Sequence, residues 1–219
     1  MHGKNPIRKP VAGDGSRLEV KHIFPTLQGE GPYVGHPAVF VRLGGCNLAC
    51  SFCDTDFEEY APMALPDILA QVQGHAAGRK LVVITGGEPL RQNIAPLCEA
   101  LLADGFRVQI ETNGTLYQEL PEEVDIVCSP KNTGAGYFPI RADLLSRLQA
   151  LKFIISKSDA KYNHVGDVGQ AKYGTPVYVQ PMDEYDEVHN AENRAYAMEL
   201  AVRNGYIFSL QLHKILGIE

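Results

Sequence analysis

Three cysteines stand close together in the segment GGCNLACSFCDTD, at Cys46, Cys50 and Cys53. Three thiolates in one short loop can hold three corners of a cubane iron–sulfur cluster, whose fourth iron must then take its ligand from elsewhere. The same thiols are also compatible with a zinc site completed by His36 or His75, with redox activity, or with a structural role. The spacing C-x3-C-x2-C favours the cluster, which would leave one iron open for chemistry.

The composition is that of an ordinary globular protein. The chain has 219 residues, 45% of them hydrophobic and 21% charged, which predicts one domain with a large core. No apolar run is long enough to cross a bilayer and no secretory signal is recognisable, so we expect a cytoplasmic protein with reduced thiols. A net charge of −6 and the lack of a basic run interleaved with aromatics argue against nucleic acid and predict a small-molecule substrate. Residues 1–17, rich in Gly, Pro and Lys/Arg, are predicted to form a flexible tail before a domain over 18–219.

Short β-branched runs alternate with helical patterns after residue 38, which predicts parallel strands joined by crossover helices. The predicted strands are 18–24, 38–43, 81–84, 107–111, 125–128, 152–155, 177–180 and 207–212. The predicted helices are 66–76, 92–104, 142–149, 160–172 and 189–204. Because a full eight-unit barrel typically needs about 250 residues, we predict an α/β fold with a partial, open β/α barrel of mostly parallel strands. Functional residues should then gather at the carboxyl ends of the strands.

Polar segments do follow these strands. The cysteine loop follows AVFVRL, and TGGEP follows LVVI, where Gly86 and Gly87 would let the backbone approach a ligand and Glu88 would offer a carboxylate. ETNG, SPK and QPMD close three later strands, and ETNG offers polar groups for ribose hydroxyls or a substrate. Each segment is also compatible with a simple turn.

An arginine, Arg42, interrupts the apolar run AVFVRL. A guanidinium on a core strand is costly unless an anion meets it. That anion is either a carboxylated substrate or an internal partner such as Glu30 or Glu88.

The cysteine spacing, with Phe52 before the third cysteine and TGGEP some thirty residues later, resembles the radical S-adenosylmethionine (SAM) superfamily. Within it, the chain is similar to the 7-carboxy-7-deazaguanine synthases over nearly everything after the tail. The segments that carry this similarity are TLQGEG (26–31), FVR (40–42), CDTD (53–56), TGGEP (85–89), ETNG (111–114), SPK (129–131), QPMD (180–183) and QLHK (211–214) with the residues up to Glu219.

The resemblance implies a partial barrel of the radical-SAM type with a [4Fe-4S] cluster on Cys46, Cys50 and Cys53, together with SAM and Mg2+. The residues implied at SAM are Phe52, Cys53, Asp54, Gly86, Gly87, Glu88, Glu111, Asn113, Ser129, Pro130, Lys131, Gln180, Pro181, Met182 and Asp183. Those implied at the substrate are Leu27, Gln28, Gly29, Glu30, Arg42, Thr85 and Glu219, the last through its main-chain carboxylate.

Three residues are candidates for the chemistry itself. Thr55 is implied as the Mg2+ ligand, although Asp54 or Asp56 would also suit a hard cation. Glu30 is a candidate through its place in the substrate pocket. His213 follows the last predicted strand, and a structural role is as compatible with its position as a catalytic one.

The activity that the resemblance implies is a radical ring contraction of 6-carboxy-5,6,7,8-tetrahydropterin to 7-carboxy-7-deazaguanine with release of ammonia. This would be a magnesium-dependent carbon–nitrogen lyase of queuosine and 7-deazapurine biosynthesis. The family also implies a homodimer and an electron donor such as flavodoxin or ferredoxin. Two alternatives remain: an activase that abstracts hydrogen from a glycine of a partner protein, and a zinc-stabilised binding module without catalysis.

Overall fold

A single sheet organises the computed structural model, which describes residues 5–219. Within these residues it has nine strands in the order β3-β1-β2-β4-β5-β6-β7-β8-β9. The pairs from β2–β4 through β8–β9 are all parallel, whereas β1 is antiparallel to both β2 and β3. The α/β class and the mostly parallel, open sheet are therefore confirmed. The strands are β1 Arg17–Leu27, β2 Pro37–Leu43, β3 Ala61–Ala64, β4 Leu81–Gly86, β5 Arg107–Thr112, β6 Asp125–Cys128, β7 Leu148–Ile155, β8 Val177–Pro181 and β9 Ile207–Phe208.

Helices cross between the parallel strands. The longest, α5, begins where the Asp186 side chain accepts a hydrogen bond from the His189 backbone N–H, and it ends at Gly205, whose φ of 71° is the left-handed conformation that glycine adopts easily. The helices are α1 Leu65–Ala76, α2 Ala95–Ala103, α3 Ala142–Leu145, α4 Gln170–Tyr173, α5 Glu187–Asn204 and α6 Leu212–Leu216. No helix within residues 5–219 is long and apolar enough to cross a bilayer.

Three predicted elements are wrong in extent, and one strand is missing from the prediction. The helix predicted at 142–149 ends at Leu145. The apolar run from Leu148 to Ile155 forms strand β7 instead, because it pairs with β6 and β8. The helix predicted at 160–172 is reduced to α4. The strand predicted at 207–212 keeps only two residues, since Leu212 already begins α6. The short edge strand β3 carries no alternating pattern and forms through its pairing with β1.

Side chains alternate between the two faces of each strand, and this alternation separates the core from the pocket. In β2, Val39, Val41 and Leu43 are fully buried in the core that α1 covers. Phe40 and Arg42 lie on the opposite face, where they line a pocket.

Loops bring the β9 side of the sheet close to β1. The Leu212 backbone N–H donates to the carbonyl of Gly29 at 3.0 Å, and the backbone N–H of Gly31 donates to Ser209 Oγ at 3.1 Å. The segment after β9 therefore meets the segment after β1 and narrows the mouth of the open barrel.

The predicted tail packs on the domain along its described part. The Arg8 backbone N–H donates to the Cys46 carbonyl at 2.7 Å, and that of Val11 donates to the Arg91 carbonyl at 2.8 Å. Residues 1–4 lie outside the described residues, and Arg17 already belongs to β1. The flexibility of residues 1–17 stays a prediction.

Candidate active site

A pocket of about 600 Å³ opens at the carboxyl ends of the parallel strands. It gathers the residues implied at the cofactors, the metals and the substrate, together with the candidate His213, with two exceptions, Glu88 and Pro130. The residues among them that line it are Leu27, Gln28, Gly29, Glu30, Arg42, Cys46, Cys50, Phe52, Cys53, Asp54, Thr55, Thr85, Gly86, Gly87, Glu111, Asn113, Ser129, Lys131, Gln180, Pro181, Met182, Asp183, His213 and Glu219.

The cysteine loop forms one wall of this pocket. Cys46 is buried and Cys50 and Cys53 are half-buried, and all three are free thiols. Burial raises the pKa of each, that of Cys46 to about 11. Within residues 5–219, no three His, Cys, Asp or Glu side chains surround a point where a single metal ion would sit. A cubane needs no such point because it distributes its cysteines over different irons, so three free thiols on one pocket wall fit a cluster.

The histidines considered for a zinc site lie at the other end of the sheet. His36 precedes β2, whose seven residues separate it from the cysteine loop by about 20 Å. His75 is in the last turn of α1, which runs back to the start of β4. Neither histidine lines the pocket that contains the thiols.

The paired glycines of TGGEP pack against the cysteine loop. The backbone N–H of Gly87 donates to the Leu43 carbonyl at 3.1 Å, and that of Glu88 donates to the Gly45 carbonyl at 3.0 Å. A Cβ on Gly87 would lie 1.9 Å from the Gly45 oxygen, and Gly86 has a φ of 130°. These glycines thus allow the backbone after β4 to pack directly against the backbone of the cysteine loop. This role is additional to the predicted one, which is to let the backbone approach a ligand.

Glu88, which was predicted to contact the cofactor, is buried and does not line the pocket. Its buried carboxylate accepts hydrogen bonds from Thr112 Oγ1 (2.7 Å), the Asn113 backbone N–H (2.7 Å) and the Leu90 backbone N–H (3.0 Å). Burial raises its pKa, against the lowering effect of these donors. Glu88 therefore fixes the end of β5 and with it the position of Asn113.

Arg42 has no carboxylate partner within 4 Å among residues 5–219. Its Nη1 donates to Thr55 Oγ1 at 3.3 Å, and its guanidinium lies 5.4 Å from the Phe24 ring centroid. Burial lowers its pKa, whereas the charges of Glu219 and Asp54 oppose that effect. The internal ion pair with Glu30 or Glu88 is not formed, so the guanidinium remains available to an anion in the pocket.

Glu30 pairs instead with Lys152, a residue that the sequence interpretation missed. Lys152 is 5% exposed, and its Nζ contacts Glu30 Oε2 and, at 2.9 Å, Glu111 Oε2. Gln28 and Gln109 both donate to Glu111 Oε1, at 3.3 and 2.6 Å. The pocket wall therefore holds one ammonium between two carboxylates.

Burial and charge oppose each other in this group. Burial raises the pKa of Glu30, but the charge of Lys152 reverses the effect and leaves that pKa lowered. For Glu111 burial prevails over Lys152, and its pKa is raised. Burial alone would lower the pKa of Lys152, yet the two carboxylates raise it. The signal for Lys152 was present in the run LKFII, where a lysine interrupts an apolar strand as Arg42 does.

The last ten residues supply a further wall of the pocket. Lys214 Nζ lies 2.8 Å from Asp54 Oδ2 and 3.0 Å from Asp183 Oδ2, which ties α6 to the cysteine loop and to the end of β8. Burial raises the pKa of Asp54, but the charge and hydrogen bond of Lys214 overcome it and bring that pKa to about 2. The Glu219 main-chain oxygen accepts from Thr26 Oγ1 at 2.5 Å.

His213 lies beside Gly29, where a Cβ would be 2.5 Å from His213 Nδ1. Burial lowers the pKa of His213, against the raising effect of the Glu30 and Asp54 charges. The imidazole is therefore mainly neutral at pH 7 and can accept or donate one proton at the pocket wall.

Comparison with known proteins agrees with this geometry. Residues 40–129 match the family model described as the Radical SAM superfamily. That superfamily implies a [4Fe-4S] cluster and SAM as cofactors.

Relatives extend the match over the whole chain. A 7-carboxy-7-deazaguanine synthase from Rickettsia prowazekii is 53% identical over 100% of this chain and 96% of its own length, and one from Rhodospirillum rubrum is 43% identical over 100% of both. A crystal structure of QueE from Escherichia coli superposes with a TM-score of 0.71 over 90% of this chain and 95% of that chain, at 24% identity, which shows the same fold. The fold is thus the open partial barrel of radical-SAM enzymes. By these similarities the chain belongs to the 7-carboxy-7-deazaguanine synthase family of the radical SAM superfamily.

Proposed function

We propose that this chain converts 6-carboxy-5,6,7,8-tetrahydropterin into 7-carboxy-7-deazaguanine with release of ammonia, as a carbon–nitrogen lyase that depends on Mg2+. The observation that carries the proposal is that one pocket joins three free thiols to a guanidinium without a carboxylate partner among the described residues. A cluster site and an anion site on one cavity suit a radical reaction on a carboxylated substrate.

The cofactors would occupy the side of the pocket nearest the cysteine loop. When bound, the cluster and SAM supply one-electron chemistry that generates a carbon-centred radical. Cys46, Cys50 and Cys53 would hold the cluster. Polar groups at the ends of β5, β6 and β8 would hold SAM, among them Asn113, Ser129 and Gln180.

Arg42 would bind the substrate carboxylate on the side next to Thr55. Its fixed fork of N–H donors matches a carboxylate in a bidentate manner, and half-buried surroundings strengthen the charge-assisted bonds. This contact would orient the reacting carbon of the substrate, which matters because small displacements of a reacting atom lower rates steeply.

Thr55 would bind Mg2+ together with the substrate carboxylate. The Thr55 hydroxyl lies 3.3 Å from Arg42 Nη1 and 3.2 Å from Asp54 Oδ1. The hydroxyl oxygen and the Asp54 carboxylate are therefore two hard ligands close to the proposed carboxylate site. Mg2+ commonly binds through few protein groups and the substrate. A carboxylate between Arg42 and the ion would be compensated on both sides.

Glu30 and Glu111 would face the nitrogen-rich end of the substrate. Ionised carboxylates accept hydrogen bonds only, so they suit the N–H groups of a pterin ring. Lys152 forms ion pairs with both carboxylates and so fixes their positions. His213 lies near Glu30, and its imidazole could accept or donate a proton there.

The proposal includes a cytoplasmic location, a homodimer, and a small electron carrier such as flavodoxin or ferredoxin as reductant. The family resemblance supports the dimer and the reductant. Light scattering coupled to size-exclusion chromatography measures the assembly, and a reduction assay with purified carriers measures the reductant.

One experiment tests the activity. Anaerobically reconstituted protein is incubated with SAM, dithionite, Mg2+ and 6-carboxy-5,6,7,8-tetrahydropterin, and the products are followed by mass and by ammonia release. We expect 7-carboxy-7-deazaguanine and ammonia in equal amounts. Protein that carries about four irons and four sulfides, as expected of a cubane cluster, yet leaves the pterin unchanged would contradict the proposal and favour the activase. Protein that binds about one zinc and no iron, as a structural zinc site does, would favour the binding module.

A further inference from the structure

Asn5 belongs to the segment that the sequence predicted to be a tail, yet its side chain reaches the cysteine loop. It is 9% exposed and lines the pocket beside Cys53 and Thr55. Neither composition nor spacing singled out this residue, and the functions described so far do not use it.

The Asn5 amide donates to two groups at the end of the cysteine loop. Its Nδ2 lies 2.9 Å from the Thr55 carbonyl oxygen and 3.8 Å from Cys53 Sγ. Because a carbonyl oxygen only accepts, the contact with Thr55 assigns the amide nitrogen, and not the oxygen, to this side. The nitrogen carries two hydrogens, one for each acceptor.

The backbone that follows Asn5 is anchored to the same loop. Ile7 forms a β-bridge with Cys46, the Arg8 backbone N–H donates to the Cys46 carbonyl, and Arg8 Nη2 pairs with Glu58 Oε2 at 2.5 Å. The segment therefore contacts the first cysteine through its backbone and the third through the Asn5 side chain. We name residues 5–8 the strap.

The two acceptors of the Asn5 amide lie side by side. Cys53 Sγ is 3.4 Å from the Thr55 carbonyl oxygen, so the two N–H groups of the amide can donate one to each. On the other side of the loop, Asn113 Nδ2 lies 3.8 Å from Cys46 Sγ and provides a comparable donor.

Resting on the proposed function, we propose that Asn5 is a positioning residue that donates an N–H···S hydrogen bond to the cluster ligand Cys53 and orients Thr55. Hydrogen bonds to cluster sulfurs stabilise the more negative, reduced state and so raise the reduction potential. Through the Thr55 carbonyl, the same amide links the cluster to the residue proposed to bind Mg2+.

The test compares three variants of the full chain, each reconstituted anaerobically without substrate. Asn5→Leu and Asn5→Asp keep the approximate shape of the side chain but remove both donors, whereas Arg8→Ala removes an exposed ion pair of the strap and leaves its backbone bonds. The readouts are the midpoint potential of the cluster, from a titration followed by electron paramagnetic resonance, and the half-time of iron loss in air. Circular dichroism checks that each variant is folded.

We expect both Asn5 variants to have a lower midpoint potential than the parent protein, with the larger shift for the added charge of Asn5→Asp. Iron loss should be severalfold faster in both, and Arg8→Ala should behave as the parent. Unchanged potentials and half-times in both Asn5 variants would overturn the inference, and so would equal shifts in Arg8→Ala. If the parent protein makes the deazaguanine product while the Asn5 variants show no shift, only this inference fails. If the parent protein binds no cluster, the proposed function fails with it.

Discussion

The guanidinium of Arg42 donates a hydrogen bond to the hydroxyl of Thr55, with Nη1 and Oγ1 3.3 Å apart. The two residues are 13 positions apart, one on β2 and one at the end of the cysteine loop. The contact therefore connects the strand that would bind the substrate carboxylate with the loop that would hold the cluster. Because neither residue is a thiol, substitutions at either one should change substrate binding while the cluster content stays the same.

Thr55→Ala should lower turnover by roughly 10- to 100-fold, the effect of losing one charge-assisted contact in a buried site. Stimulation by Mg2+ should be lost, while iron and sulfide content stay at the parent level because no thiol is altered. Activity at graded Mg2+ concentrations and iron analysis measure the two effects. Thr55→Ser keeps the hydroxyl and serves as the matched control. An Ala variant with the parent's magnesium response would remove Thr55 from the metal site.

Arg42→Met should raise the KM for the carboxylated pterin by roughly 10- to 100-fold, because the substrate carboxylate would enter the pocket without a charged donor to pair with. Binding of an analogue without the carboxylate should change little. Arg107→Met is the control, since Arg107 lies over the Tyr33 ring at the opposite end of the sheet. Equal losses for the two ligands would mean that Arg42 supports the pocket without binding the carboxylate.

Lys152→Met should destabilise the fold by about 3–5 kcal/mol at neutral pH, because it leaves two carboxylates buried without a cation. The loss should depend on pH. Burial and mutual repulsion then hold the pKa of both Glu30 and Glu111 above the unfolded value of 4.5, and an acid with a raised pKa destabilises the fold only while ionised. The loss is therefore greatest above the folded pKa values and diminishes as the pH falls toward 4.5.

Urea unfolding of this variant at pH 8 and at pH 5 measures that difference. The control is Lys157→Met, which removes an exposed ion pair with Glu192 just beyond the same strand and should cost less than about 1 kcal/mol at either pH. A pH-independent loss for Lys152→Met would indicate a packing effect and contradict the electrostatic account.

Gly87→Ala should reduce the iron content after reconstitution and destabilise the fold by about 1–3 kcal/mol or more. The added Cβ would lie 1.9 Å from the Gly45 carbonyl oxygen, so the cysteine loop must move. Gly74→Ala provides the contrast, because a Cβ there meets nothing within 4 Å and a helical alanine is favoured over glycine. Full cluster loading in Gly87→Ala would show that the loop tolerates the displacement.

Much of this site follows from the sequence because parallel strands bring their carboxyl ends to one edge. The runs LVVI and RVQIE each predicted a buried strand followed by polar residues, and a pocket lies where those strands end. The run AVFVRL likewise identified Arg42, because a guanidinium interrupts an apolar strand there.

The residues that escaped prediction depend on partners far away in the chain. Lys152 contacts Glu30 and Glu111, which are 122 and 41 positions away. The run LKFII shows a lysine in an apolar strand, but it does not show these partners. Asn5 lies in a segment whose composition resembles a tail and is buried only through contacts with the cysteine loop. The helix predicted at 142–149 failed for a related reason: sheet pairing decided the state of an apolar run that is compatible with either structure.

The contact that narrows the barrel mouth has a consequence for how the protein folds. Gln211 Nε2 reaches Glu30 Oε1 across 181 positions, so this wall of the pocket joins the beginning of the domain to the last residues of the chain. Closing so long a loop carries a large entropic penalty unless the intervening sheet is already formed. We therefore expect the sheet to form before residues 209–214 close over it, which would make this wall the late-forming part of the cavity.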